Sequence, residues 1–198
     1  MNLPNKLTIT RMILVPIIII FMLPMPFLGP NGWNAFINKY GMLIALILFS
    51  VASYTDHLDG SIARRDNLVT NFGKFLDPIA DKVLIISVFI AILELGKISS
   101  WVPISILARE FAVTGISLVG SEQGKVIPSA MLGKIKMVVQ IVAIILLMLD
   151  HILQGFFKMN GFLSFVSTLA LIVTGLAVLM TLLSGLDYIM KNKTLLKN

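Results

Sequence analysis

The sequence predicts an all-α integral membrane protein with six transmembrane helices, and three observations carry that reading. Hydrophobic residues make up 57% of the 198-residue chain and the mean hydropathy is +0.94, well above the apolar share of soluble domains. The apolar residues gather into six stretches, roughly 8–25, 40–63, 75–95, 101–121, 135–150 and 162–190. Each approaches the ~20 residues that a helix needs to cross a bilayer, the last being longer. Finally, Lys and Arg concentrate in alternate connections, as the positive-inside bias requires. Six spans leave no room for a soluble domain, so residues 1–198 read as a single membrane domain without linker, internal repeat or low-complexity tract.

Taken in order, the first span opens on Asn5, Thr8 and Arg11, polar residues spaced by three. Pro4-Asn5 with Thr8 is reasonable helix-start chemistry. Pro24-Met25-Pro26 follows in place of a small-residue cleavage site, so this span is not expected to be a signal peptide. The second span ends, and the third begins, in the polar window DHLDGSIARRDNLVTNFGKFLDPIAD, residues 56–81, which holds five of the ten acidic residues. Arg109 lies well inside the apolar fourth span, where a charge demands a partner. Adjacent Glu110 points about 100° away around a helix and is not the obvious partner. Span five opens on Gly133-Lys134-Ile135-Lys136. Lys6, Arg11, Arg64, Arg65, Lys74, Lys125, Lys134, Lys136, Lys191, Lys193 and Lys197 share one side of the membrane, against Lys39, Lys97 and Lys158 on the other. Both termini and the aspartate window are therefore expected on the cytoplasmic side of the cell membrane.

Composition narrows the function classes. A net charge of +6 reads as topology plus attraction to anionic lipids or phosphates. Nucleic acid is not expected as a partner, because no basic stripe is interleaved with aromatic residues. No cysteine is present, which excludes disulfide and thiolate chemistry. Trp33 and Trp101 fit an outer aromatic belt, His57 falls at a variable position of the acidic window, and His151 is expected in an outer loop.

The acidic window carries the chemistry. Residues three and four apart share a helix face, so Asp56, Asp59, Gly60 and Ala63 line one face at the end of span two, and Asp77 and Asp81 one face at the start of span three. A polar turn from Arg64 to Gly73 is expected to bring these faces together. Four carboxylates match the charge of two divalent cations, and all-oxygen ligation suits Mg²⁺ or Mn²⁺. Two such ions ~4 Å apart can clamp the attacking and leaving oxygens of a phosphoryl substitution. Gly60 and Gly73 allow close approach of a bulky substrate, and Arg64 offers a planar fork suited to phosphate. The alternative is a solvated interfacial ion network.

The spacing D-x2-D-G-x2-A-R-x8-G-x3-D-x3-D, eight fixed positions over 26 residues, resembles without a gap the signature of the CDP-alcohol phosphatidyltransferase family. That resemblance implies six transmembrane helices, often a homodimer, and Mg²⁺- or Mn²⁺-dependent transfer of a phosphatidyl group from a CDP-linked lipid to an alcohol with release of CMP. It implies Asp56, Asp59, Asp77 and Asp81 as metal ligands, Asp81 also as general base, and Gly60, Arg64 and Thr70, with Gly73, around the CDP moiety. The opening NLPNKLTITR resembles the PN-x-LT-x-x-R start of the bacterial glycerophosphate branch, which adds nucleotide contact to capping as a role for Asn5, Thr8 and Arg11.

The signature does not name the alcohol. Arg109, Lys134 and Lys136 can converge on a phosphate beside the aspartates, or the lysines can be positive-inside anchors. REFAVTG and LGKIK resemble the segments of the branch whose acceptor is glycerol-3-phosphate, which implies CDP-diacylglycerol and glycerol-3-phosphate as substrates. Related sequences usually read T-G-L-R where this chain has Thr114-Gly115-Ile116-Ser117, so one basic residue expected near the acceptor phosphate is missing. The rival readings are the same chemistry on inositol phosphate or a lipid alcohol, a membrane prenyltransferase, and a divalent-cation transporter. Transporters generally need inverted repeats or broken helices near the bilayer centre, and neither is evident here.

Overall fold

A computed structural model describes the backbone of residues 3–29, 31–65, 71–122, 131–156 and 161–193, and the side chains of 6–25, 27–29, 31–55, 76, 78–121, 131–156 and 161–193. Among these residues all regular structure is helical. Six long helices, α1 (Leu3–Met22), α3 (Met42–Arg65), α4 (Asn71–Glu94), α5 (Trp101–Glu122), α6 (Met131–Phe156) and α7 (Gly161–Lys191), follow the six apolar stretches. A 3₁₀ turn at Pro26–Leu28, a short α2 (Trp33–Phe36) and a π-helical turn at Ile37–Gly41 run directly into α3. Four helical segments, Trp33–Thr55, Trp101–Ser121, Met131–Phe156 and Gly161–Lys191, are long and apolar enough to cross a membrane. Exposed Ile47, Phe111, Val138, Leu171 and Leu182 coat the bundle, as lipid-facing positions do. The chain is a multi-pass helical membrane protein.

Local chemistry sets the helix ends. Gly96 has φ of +70°; its N–H donates to Leu93 O at 2.9 Å and that of Lys97 to Ile92 O at 3.3 Å. These two bonds form a Schellman cap on α4, which needs the left-handed region open to glycine. Asn34 is buried and ties down the connection before α2: its Nδ2 donates to the carbonyls of Met25 and Gly29 at 2.7 and 2.6 Å, and its Oδ1 accepts from Met25 N–H at 2.8 Å. Pro16 and Pro78 lie inside α1 and α4. Each removes one backbone hydrogen bond, a cost that neighbouring helices can absorb in a membrane bundle.

Packing is dense where side chains are small. On α7, Ala170, Thr174, Ala177, Thr181 and Ser184 are buried and alternate at intervals of four and three. On α6, Lys136, Gln140, Ala143, Leu147 and Asp150 follow the same repeat. Small interfacial residues let membrane helices approach closely, and Gln140 Nε2 donates to Thr181 Oγ1 at 2.9 Å across this seam. Ile18, Phe49, Val88, Phe89, Ile92, Ile144 and Met148 fill the common core. Helix α1 packs on both α3 and α4, α6 on α3, α4 and α7, and α5 on α4 and α7.

Two expectations change here. The connection between the acidic faces is shorter than a turn from Arg64 to Gly73: α3 continues through Arg65 and α4 already includes Gly73. His151 is helical and partly buried, not in a loop, because α6 runs on to Phe156. Its last turns carry buried Asp150, which accepts from Lys97 and Ser167, and exposed Gln154, whose Nε2 donates to Asp150 and Ser167.

A Cβ at Gly41 would overlap the carbonyl oxygen of Phe21, whereas one at Gly115 meets nothing within 4 Å. Gly41→Ala is therefore expected to destabilise the protein by roughly 1–3 kcal/mol, the usual cost of overpacking. Gly115→Ala should leave stability unchanged or slightly raised. Thermal unfolding of both variants in detergent checks this; equal melting temperatures would refute the close α1 contact.

Candidate active site

Helix α1 bridges the two helices that carry the acidic window. Arg11, 2% exposed, donates from Nη1 to Oδ1 of Asp81 on α4 at 2.5 Å. Thr8, one turn earlier on α1, is also buried. Asp56, Asp59, Gly60 and Ala63 occupy successive i, i+3, i+4 and i+7 positions of α3, and Asp77 and Asp81 are i and i+4 on α4. The side chains of Asn5, Asp56, Asp59, Arg64 and Asp77 lie outside the described residues, as does Thr70 altogether; Gly60 and Gly73 belong to α3 and α4. Among the described side chains, no three metal-ligating groups cluster, since three of the four aspartates lie outside that set. The donor chemistry of the window is all-oxygen and fits a hard divalent cation.

Beside Asp81 lies a cavity of about 200 Å³. Asp81 and Lys82 of α4, Glu110 of α5, and Gly133, Lys136 and Gln140 of α6 supply its polar wall. Lys136 and Glu110 are buried, and Lys136 Nζ donates to Glu110 Oε1. Lys82 Nζ donates to Thr114 Oγ1 at 2.6 Å, and Thr114 in turn donates to the Glu110 carbonyl at 2.7 Å. Among the described residues no carboxylate lies within ion-pair distance of Lys82. A second, mostly apolar cavity of about 330 Å³ between α4 and α5 shares Lys82, Ile86 and Glu110 with the first and is otherwise walled by residues such as Val83, Leu107 and Phe111.

The three cations expected to converge on a phosphate do not all reach this cavity. Lys136 lines it, but Lys134 is exposed and outside it. Arg109 turns toward α7: its Nη2 donates to Ser184 Oγ at 2.7 Å, and its Cγ lies 2.8 Å from where a Gly185 Cβ would be. Only a glycine at 185 leaves room for that side chain. Arg109 does pair with Glu110, Nη1 to Oε1 at 3.0 Å. The 100° offset between neighbours is overcome because both side chains are long enough to swing toward each other. Ser117 is exposed on α5 and does not line the cavity. The sequence reading missed Lys82, Glu110 and Gln140 as cavity residues. Lys82 carried a usable signal, being a charge directly after Asp81 at the start of an apolar run.

A family profile described as CDP-alcohol phosphatidyltransferase matches residues 1–183. The chain belongs to that family. It is 41% identical to the Bacillus subtilis (strain 168) CDP-diacylglycerol–glycerol-3-phosphate 3-phosphatidyltransferase, over 99% of this chain and 97% of the relative. A probable phosphatidylglycerophosphate synthase of Mycobacterium tuberculosis is 37% identical over 95% of this chain and 80% of its own length. The Rickettsia typhi CDP-diacylglycerol–glycerol-3-phosphate 3-phosphatidyltransferase is 35% identical over 98% of both chains.

Glu110 is the buried counter-charge of both Lys136 and Arg109. Removing one member of a buried pair strands the other, at about 3–5 kcal/mol. Glu110→Gln is expected to lower stability on that scale, and Glu110→Gln with Lys136→Met to recover a measurable part of it. Denaturation of the single and double variants checks the coupling; additive losses would contradict it.

Proposed function

We propose that this family member transfers the phosphatidyl group of CDP-diacylglycerol to sn-glycerol-3-phosphate, giving phosphatidylglycerophosphate and CMP. The observation that carries the acceptor is the cavity beside Asp81, where Lys82 and Lys136 both present ammonium groups and Lys82 has only a hydroxyl partner among the described residues. A phosphate dianion can accept hydrogen bonds from both ammonium groups, and a neutral alcohol brings no charge to meet them. The names of the relatives support the same reading.

In this reading all six long helices span the cell membrane, with both termini and the reaction cavity on the cytoplasmic side, and the protein works as a homodimer. The acyl chains of the donor stay in the lipid and reach the site between helices. Asn5, Thr8, Arg11, Gly60, Arg64, Thr70 and Gly73 hold the CDP moiety. Asp56, Asp59, Asp77 and Asp81 hold two Mg²⁺ or Mn²⁺ ions, which supply charge stabilisation at the diphosphate when bound. Lys136 and Lys82 fix the phosphate of the acceptor. Asp81 takes the proton of the glycerol hydroxyl as its oxygen attacks the phosphatidyl phosphorus and the bond to CMP breaks. A carboxylate of ordinary pKa near ~4 is a weak base, so the positioning of that hydroxyl has to compensate. Arg109 acts through the fold, locking α5 to α7 and keeping Glu110 in place.

Asp81→Asn is expected to lose at least ~10²-fold in CMP release, the usual scale for a general base, with substrate affinity less affected. Chelation of divalent cations, or Asp56→Asn, should abolish turnover in protein that remains folded. Near-normal rates in either experiment contradict the assigned roles.

Losing one charged hydrogen bond to a phosphate costs roughly 1.5–3 kcal/mol, a rise of about tenfold to a hundredfold in KM where KM tracks binding. Lys136→Ala and Lys82→Ala are expected to raise the KM for glycerol-3-phosphate by that much and to leave the KM for CDP-diacylglycerol nearly unchanged. Lys134→Ala should do less. Steady-state kinetics on both substrates checks this, and an unchanged acceptor KM in both cavity variants would sink the phosphate pocket.

A further inference from the structure

At the opposite end of the bundle, a second polar cleft has no part in the reaction described above. It lies between the π-helical turn with the start of α3 and the last turns of α6, and encloses about 350 Å³. Asn38, Lys39 and Met42 form one wall, and His151, Gly155 and Phe156 the other. His151 lies fifteen residues beyond Lys136 on the same helix, about 22 Å along its axis. The cleft is therefore nearly a bilayer core away from the aspartate window.

Its chemistry is lopsided. Among the described residues no Asp or Glu lines it. Lys39 forms no ion pair among the described residues, and its Nζ only rests 5.1 Å from the Tyr40 ring centroid. The Nδ1 of His151 is buried and has no hydrogen-bond partner among them, a rare condition for a ring nitrogen. The nearest acid, Asp150, is already engaged by Lys97 at 3.0 Å, by Gln154 at 2.8 Å and by Ser167. The cleft thus offers a cation to a ligand that accepts hydrogen bonds, beside a ring whose buried Nδ1 has no partner among the described residues. Nδ1 donates in one neutral tautomer as well as in the cation.

The surroundings identify the depth. Phe21, Trp33, Phe36 and Tyr40 form a chain of rings with centroids 5.8–6.0 Å apart, and Trp33, Phe36, Tyr40 and Phe156 are exposed. Aromatic rings collect at the headgroup level of a bilayer. From the cleft, exposed Leu43, Ile47 and Val51 run along α3 toward the bilayer centre, a track suited to an acyl chain. The π-helical turn supplies Asn38 and Lys39, and such turns recur at ligand sites.

We propose that this cleft binds the phosphate of an anionic phospholipid in the leaflet opposite the reaction cavity. Lys39 donates to the phosphodiester, a turn of the His151 ring brings its Nδ1–H to the same oxygens, Asn38 donates to the headgroup, and one acyl chain lies on α3. The site stands independently of the reaction assigned to the other end.

Native mass spectrometry of the full chain, titrated in detergent with phosphatidylglycerol, with phosphatidylcholine or with inorganic phosphate, tests this. The unmodified protein is expected to hold one phosphatidylglycerol that Lys39→Gln and His151→Gln each weaken by about tenfold, the scale of one charge-assisted hydrogen bond, with phosphatidylcholine retention alike in all three proteins. Displacement of that lipid by inorganic phosphate would show that the free ion reaches the same donors; no displacement marks the lipid as the sole source. Lys39 is exposed, so its variant tests the site even if the His151 variant fails to fold. Equal phosphatidylglycerol binding by unmodified protein and folded Lys39→Gln overturns the proposal.

Discussion

One buried carboxylate organises the reactive end of this bundle. Glu110 sits in an apolar helix and takes hydrogen bonds from both Lys136 of α6 and Arg109 of its own α5. A charge at membrane depth persists only with partners, and here each partner recruits another element. Arg109 reaches Ser184 across the glycine at 185 and so fastens α5 to α7. Lys136 brings α6 against the same carboxylate, and Gln140, one turn on, bonds Thr181. The pair Arg11–Asp81 does for α1 and α4 what Glu110 does for α5, α6 and α7. Among the described residues the middle of the bundle has no such ion pairs and is held by small-residue seams and by Phe49, Val88 and Phe89.

In the proposed reading, this arrangement suits the cavity to an acceptor that carries phosphate. Each charge that the fold needs is matched, Glu110 by Lys136 and Arg109, Asp81 by Arg11. Lys82 is bonded to the Thr114 hydroxyl instead. In the proposed reading the acceptor phosphate meets Lys82 of α4 and Lys136 of α6, whereas Arg109 turns to α7 and Lys134 lies outside the cavity lining. Ser117 is exposed on α5 and does not line the cavity, whereas Lys82, directly after Asp81, does.

Much of the fold was legible because hydropathy and bilayer thickness fix helix number and approximate position. The stretch 101–121 became Trp101–Glu122, and 162–190 became Gly161–Lys191. Helix ends were less legible where polar residues extend a helix by finding partners inside the bundle. Asp150 and Gln154 carry α6 past its apolar run, and the acidic window is almost wholly helical. The motif spacing identified the family, because eight positions in one short window are rarely matched by chance. It could not show how side chains meet across helices. The Arg109–Glu110 pair defeats a rule of helix geometry by side-chain length alone, and Lys82 acquires meaning only once α4 is laid against α5 and α6.

The central claim is that the cavity beside Asp81 selects an acceptor bearing a phosphate. The most direct test is CMP release from CDP-diacylglycerol by the purified protein, with glycerol-3-phosphate or with glycerol as sole acceptor at equal concentration. The account predicts acceptor-dependent release with glycerol-3-phosphate and at least about tenfold less with glycerol, the scale of one charged contact. Equal rates with the two alcohols would contradict it.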